Sequence, residues 1–309
     1  MNQLPFALPG RFWRGNLHAH STRSDGGLAP EEVARRYAVN GYAFFALTDH
    51  FLERYDYPIV DTRPFRSERF TTLIGAELHA GQTELGGMWH ILAVGLPLDF
   101  AVPTEGETGP ELAARALAAG AFVAAAHPQW YSLTERDLEA LGPVDAIEVY
   151  NGVAIDHNDR ADSWHIADIM LGRGHRYRVC AADDFHHQRN RHDFGRGWVW
   201  VKSERLEPDA ILAALKAGHF YSSSGPQIHD VQVEPGRRAV VRYSPAEWIF
   251  VTGKGPAALA VEGHGLMKAE FDLEKFNSTY CRITVRDAHG GRAVVKTARG
   301  GYDGKGVRV

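Results

Sequence analysis

Residues 29–50 read APEEVARRYAVNGYAFFALTDH, and this stretch contains the unit from which the fold is built. Pro30 near the start and Gly41 just past the end punctuate a helix in the usual order. The run GYAFFAL that follows is apolar at successive positions, as expected for a strand buried on both faces. It closes on Asp49 and His50, so a metal-capable side chain stands where the buried strand emerges. Further runs have the same form: FTTLIGAEL, WHILAVGL, AFVAAAH, DAIEVYN and YRVCAADD. Between several of them lie helical patterns, TGPELAARALAAG, LTERDLEALG, DRADSWHIADIMLGRG and EPDAILAALKAG. Thr108 and Gly120 bracket the first of these, and Thr134 with Asp137 has capping-box spacing in the second. Strands alternating with helices from about Arg11 to Ser224 predict a parallel sheet, either open or closed into a barrel.

The texture changes after FYSSSGPQIHD. HDVQVEPGRRAVVRYS, EWIFVTGKG and TYCRITVRDAHGGRAVVKTARG are short alternating segments separated by Gly and Pro turns, with no amphipathic helix among them. They predict a small antiparallel β-sandwich over residues 227–309, following an α/β unit over residues 1–226.

The 309-residue chain has room for such a division, and its 44% hydrophobic and 23% charged residues are those of a globular protein. A formal net charge of -4 argues against a partner such as duplex nucleic acid or an anionic membrane. No apolar run is long enough to span a bilayer. MNQLPFALPGRFW does not read as a signal peptide. Cys180 and Cys281 are too few for a disulfide framework or a cysteine-built zinc site, and a single bridge is the alternative to two reduced thiols. A cytoplasmic location is the expectation. The oligomeric state is left open.

Histidine is the anomaly. The 16 histidines outnumber the 15 Phe, the 11 Tyr, the 7 Trp and the 4 Met, which points to metal binding or acid–base chemistry. In NLHAHS, His18 and His20 are i and i+2 and point the same way from a strand. Asp25 follows in the loop. His50, Glu77, His90 and His127 each stand at an end of an apolar run, and Asp184 with His186 makes a second i, i+2 pair. Desolvating so many polar groups together is prohibitive without cations, for which neutral imidazoles and ionised carboxylates are natural ligands.

The set HAHSTRSDGG, ALTDH, GAELH, WHILAVG, AAHP and DDFH resembles the PHP family, the polymerase and histidinol phosphatase domain, over about the first two-thirds of the chain. The tail AGHFYSSSGPQIHDVQV is similar, more weakly, to PHP-type hydrolases of the carbaryl-hydrolase-like branch. The resemblance implies a distorted seven-stranded TIM-like (β/α) barrel. It also implies two or three divalent metal ions, with zinc, manganese and iron all compatible with the donor set. His18, His20, Glu77 and Asp184 would hold the first ion. Glu77 would bridge to a second held by His90 and His127, and Asp25, His50 and His186 would hold a third. Some members carry His where this chain has Asp25.

The reaction implied is metal-dependent hydrolysis of a small phosphomonoester or phosphodiester by a metal-bound hydroxide, with Glu77 and Asp184 central to catalysis. Arg23, Arg189 and Arg191 are the candidate phosphate clamps, because a guanidinium fork matches phosphate oxygens. Asp49 and Asp183 adjoin ligands and are placed to orient an imidazole. Asn151 is a candidate for the pocket lining. His79, His157 and His187 are candidate leaving-group acids, none of them assigned. Trp89, Trp130 and Trp164 read as core or pocket wall. Two other functions fit the residues: hydrolysis of a carbamate, carboxylic ester or amide by the same metals, and a metal-stabilised binding module without catalysis.

Overall fold

The helix read from residues 29–41 forms in the computed structural model, which describes residues 4–297. After β1 (Arg11–Asn16) comes α1 (Pro30–Val39), then β2 (Phe44–Leu47), the short β3 (His50–Phe51) and β4 (Thr71–Leu78). Glu32 Oε2 accepts from the Ala29 N–H at the start of α1, and Gly41 beyond its end has φ 80°, a backbone state that glycine adopts without strain. Next are β5 (Ile91–Val94), α2 (Gly109–Ala118), β6 (Phe122–Ala125), α3 (Pro128–Tyr131), α4 (Glu135–Leu141) and β7 (Ala146–Asn151). The reciprocal capping boxes form at Thr108–Glu111 and Thr134–Asp137. The α/β part continues through α5 (Gly152–Asn158), α6 (Trp164–Arg173), β8 (Arg178–Ala182), β9 (Trp198–Ser203), α7 (Pro208–Ala217) and β10 (Phe220–Ser223).

The sheet is mixed rather than parallel. In the order β1-β2-β4-β5-β6-β7-β8, the β4–β5 and β5–β6 pairs are antiparallel and the other neighbours are parallel. The reason lies between β4 and β5, where HAGQTELGGMWH carries glycines and a small hairpin-like bridge (Gln82–Met88) but no helix. Without a crossover helix the chain has to return antiparallel. One consequence matters for the site: the start of β5 lies at the same rim as the ends of its neighbours β4 and β6. A parallel bridge between Ala19 and Phe185 joins the extension of β1 to that of β8.

Both faces of these strands are buried. Phe44, Leu92, Val94, Phe122, Ala124, Ala146 and Cys180 share one cluster with Ile211 and Leu215 of α7. Ile91, Val123, Ile147 and Val179 pack outward against Leu112 of α2, Leu138 of α4 and Met170 of α6. Each large apolar side chain fully buried this way contributes about 1.5–3 kcal/mol.

The C-terminal strands are β11 (Ile228–Glu234), β12 (Arg238–Thr252), β13 (Ala258–Asp272), β14 (Cys281–Arg286) and β15 (Arg292–Thr297), all paired antiparallel. Their buried faces form a separate core around Val241, Tyr243, Ile249 and Ile283. Hydrogen bonding nevertheless runs across residue 227, because β15 pairs with β10 and β10 with β9. Arg282 grips Asp168 of α6 in a two-pronged contact of 3.0 and 2.6 Å. Residues 298–309 of the predicted C-terminal unit lie outside the described residues. No helix among the described residues is long and apolar enough to cross a membrane.

Candidate metal centre

The strand ends bring together His18, His20, Asp25, His50, Glu77, His90, His127, Asp184 and His186. His18 and His20 follow β1, His50 opens β3, Glu77 is near the end of β4, and His90 precedes the antiparallel β5. His127 follows β6, and Asp184 and His186 follow β8. Asp25 alone among the nine is substantially exposed, its side chain 33% accessible.

Glu77 stands at the middle with its two oxygens facing different partners. Oε1 lies 2.7 Å from His90 Nδ1 and 3.1 Å from His127 Nε2. Oε2 lies 3.6 Å from His18 Nε2 and 3.7 Å from His20 Nε2. Asp184 Oδ1 approaches the same two nitrogens at 3.3 and 3.0 Å. Asp25 Oδ1 lies 3.5 Å from His50 Nε2 and 3.4 Å from His186 Nε2.

Glu77 Oε1 accepts hydrogen bonds from His90 and His127, whereas the approaches among Glu77 Oε2, Asp184 Oδ1 and the His18 and His20 Nε2 atoms are close without being hydrogen bonds. His18 Nε2, His20 Nε2, Glu77 Oε2 and Asp184 Oδ1 are all buried and all lack a hydrogen-bond partner. Unsatisfied buried polar atoms are individually costly, about 1–3 kcal/mol each and more when charged. Four of them facing one another is the arrangement a divalent cation satisfies. His127 and Asp184 also hold left-handed backbone, at φ 26° and 53°, strain of the kind that persists at functional sites.

Behind the ligand atoms, hydrogen bonds set which nitrogen each ring offers. The Asp184 carbonyl accepts from His186 Nδ1–H at 2.7 Å, leaving Nε2 toward Asp25. Glu148 accepts from His18 Nδ1–H at 3.0 Å, and its other oxygen accepts from the His127 N–H at 2.8 Å and Asn151 Nδ2 at 3.0 Å. Asn151 Nδ2 also reaches Asp184 Oδ2 at 3.0 Å. The fully buried Glu148 was missing from the sequence reading. Its only signal was a carboxylate within the apolar run DAIEVYN.

Asp49 and Asp183 orient loops rather than imidazoles. Asp49 accepts from Ser21 N, Ser21 Oγ and Ser24 Oγ, which folds the HAHSTRSD turn around it. Asp183 accepts from Gly195, Arg196 and Gly197 N–H groups and from Tyr37 Oη, pinning the loop after His186.

Burial and neighbouring charge act in opposition here. Burial alone would raise the Glu77 carboxyl, but His90, His50 and His18 outweigh it and hold it well below the carboxylate range. Asp184 is likewise lowered against its burial, by His18, His186 and His20. Burial, His186 and His50 push His20 down to about 4, which keeps the ring neutral. The carboxylates are thus ionised and His20 and His90 are kept neutral, whereas the neighbouring carboxylates, against burial, hold protons on His18, His50 and His186 that a bound cation would displace.

The three candidate arginines are placed differently from one another. Arg23 and Arg189 are exposed, and Arg189 and Arg191 line one outer cleft with Arg36 and Arg196. Arg191 Nη2 lies 2.9 Å from His157 Nδ1. Among the described residues no arginine forms an ion pair with Asp25, Glu77 or Asp184. The rim is aromatic instead: Tyr131 lies 4.0 Å from the His90 ring, and Trp130 lies 5.1 Å from His127 and 4.7 Å from His157. Trp89 is core and donates to the Gln82 carbonyl, and Trp164 packs in the core beneath Arg282. His187 is exposed.

No family model matches this chain, and no curated protein matches it. Solved structures do. A two-domain protein from Bacteroides vulgatus, described as containing a predicted PHP-like metal-dependent phosphoesterase, superposes with a TM-score of 0.52 at 14% identity, over 94% of this chain and 97% of that one. An amidohydrolase from Chromobacterium violaceum, solved with sulfate and no metal, is 20% identical over 56% of this chain and 87% of its own, with a TM-score of 0.42. The first establishes a shared mixed α/β fold through nearly the whole chain.

Proposed function

We propose that this protein is a metal-dependent hydrolase of a small phosphomonoester or phosphodiester. The supporting observation is the set of unpartnered buried atoms on His18, His20, Glu77 and Asp184, turned toward one another at the strand ends. These four residues would hold one ion. Glu77 Oε1, His90 and His127 would hold a second, and Asp25, His50 and His186 a third. Zinc, manganese and iron all suit this donor set. The seven strands β1, β2, β4, β5, β6, β7 and β8, with the Ala19–Phe185 bridge across their ends, are read as the distorted barrel of the PHP type. The strands after residue 227 are read as its accessory β domain.

Bound divalent cations supply Lewis acidity to the ester and acidify a water molecule. The chain's own residues do the rest. Glu77 divides its two oxygens between the His18/His20 and His90/His127 pairs, so one carboxylate fixes the spacing of both sites. Glu148 and the Asp184 carbonyl hold protons on the far nitrogens of His18 and His186. Tyr131 and Trp130 limit water at the rim, and Arg191 beside His157 is the arginine best placed to meet an anionic substrate.

The aromatic rim, together with the lack of arginine ion pairs to the cluster carboxylates among the described residues, favours a second reading. In it the same residues, with cations bound, would serve hydrolysis of a carbamate, carboxylic ester or amide. A panel of phosphate esters, carboxylic esters, carbamates and amides, offered to zinc-, manganese- and iron-loaded protein, separates the two. Phosphate release inhibited by inorganic phosphate is the expected result. Turnover confined to carbonyl substrates would replace the first reading with the second.

A further inference from the structure

His79 is fully engaged inside the cluster, and neither the ligand set nor the mechanism uses it. It stands two residues after Glu77, so it leaves the same face of the β4 extension. Its Nδ1 lies 2.9 Å from the Trp89 carbonyl and its Nε2 lies 2.8 Å from His50 Nδ1. A carbonyl oxygen can only accept, so the His79 proton is on Nδ1 and Nε2 carries the lone pair. That lone pair then accepts from His50, which must place its own proton on Nδ1. The Nε2 of His50, 3.5 Å from Asp25 Oδ1, is then the nitrogen that would be offered to an ion.

Glu77 Oε2 is a competing acceptor, only 2.7 Å from His50 Nδ1. Angle as well as distance makes the His79 contact the hydrogen bond, while the approach of Glu77 Oε2 is a close electrostatic contact with the same ring edge. The relay therefore serves two ends at once: it turns His50 toward Asp25 and His186, and it leaves Glu77 Oε2 open toward His18 and His20.

We infer that His79 is a positioning residue for the site formed by Asp25, His50 and His186, selecting the nitrogen that His50 presents and so deciding whether an ion is held there. This rests on the metal-dependent reading above. Its test is zinc binding by the full chain, with stoichiometry from elemental analysis and affinities from chelator competition, for wild type, His79→Gln and His79→Leu. Gln retains an acceptor near the Nε2 position and Leu has none. Thermal unfolding of each variant reports whether it is folded.

The expected result is three zinc ions in wild type and in His79→Gln. His79→Leu should keep two ions at near wild-type affinity and bind the third about 10–100-fold more weakly, the usual effect of losing a group that orients a metal-bound histidine. Unchanged third-ion affinity in folded His79→Leu would overturn the relay while leaving the metal reading intact. Equal loss in His79→Gln and His79→Leu would overturn it as well, since the acceptor would then not be what matters. Fewer than two zinc ions in wild type would overturn the metal reading itself, and the relay with it.

Discussion

The same strands carry two layers of opposite character. In the lower layer Phe44, Leu92, Phe122, Ala124, Ala146 and Cys180 meet as an apolar cluster. At the rim the chain places His18, His20, Glu77, His127 and Asp184, all buried and several without partners. The step between layers is short: Leu92 and His90 are two residues apart, as are Cys180 and Ala182, after which Asp184 emerges. The apolar layer is satisfied by its own packing, whereas at the rim His18 Nε2, His20 Nε2, Glu77 Oε2 and Asp184 Oδ1 find no hydrogen-bond partner among the described residues. Stability and function are therefore separable along one strand, and perturbing either layer should leave a different signature.

The largest effect is expected at the centre of the rim. Glu77→Gln retains the shape of the side chain and removes the charge that faces both histidine pairs. Turnover should fall by about a thousandfold, equivalent to about 4 kcal/mol of lost transition-state stabilisation, and steady-state kinetics on the best substrate of the panel measures it. Near-normal rates would mean that the two histidine pairs do not work through this carboxylate.

The lower layer should respond in the opposite sense. Leu92→Ala leaves a cavity in the apolar cluster, and large-to-small changes of this kind cost about 2–5 kcal/mol of stability. Chemical denaturation should show that loss while zinc content per folded chain stays unchanged. A matching loss of metal would show the layers to be one unit.

Glu148 sits between the layers and sharpens the comparison. Glu148→Gln keeps its volume but weakens the acceptor that holds the proton on His18 Nδ1. Metal affinity should drop about 10–100-fold, read by chelator competition, with thermal stability changed far less than in Leu92→Ala. The smallest effect belongs to Arg191→Ala. Arg191 lies outside the cluster beside His157, and an exposed charge contact from it to an anionic substrate is worth at most about 1 kcal/mol, so KM should rise by less than about fivefold.

Much of the rim was legible in the sequence because a polar group ending an apolar run is conspicuous. His50 after FFAL, His127 after FVAAA and Asp184 after RVCAA needed no structure to be noticed. The groups behind them were harder to see. Glu148 lies inside an apolar run rather than at its end. His79, one residue past the strand carrying Glu77, reads as an ordinary surface or supporting histidine until His50 is seen beside it.

The direction of β5 was misread for a related reason. Its apolar run is like those of the strands that run parallel to one another, and only the missing helix between Leu78 and Ile91 records that the chain doubles back. Alternation identified the C-terminal strands, but the pairing of β15 with β10 joins residues far apart in sequence. Strand composition does not encode such a partner.

The central claim is that the rim is completed by cations. Elemental analysis of purified protein after incubation with zinc and removal of loosely held metal tests it directly. At least two tightly bound ions per chain are predicted, reduced in Glu77→Gln and unchanged in Leu92→Ala. A folded wild-type chain that retains no zinc, manganese or iron under these conditions would contradict the account.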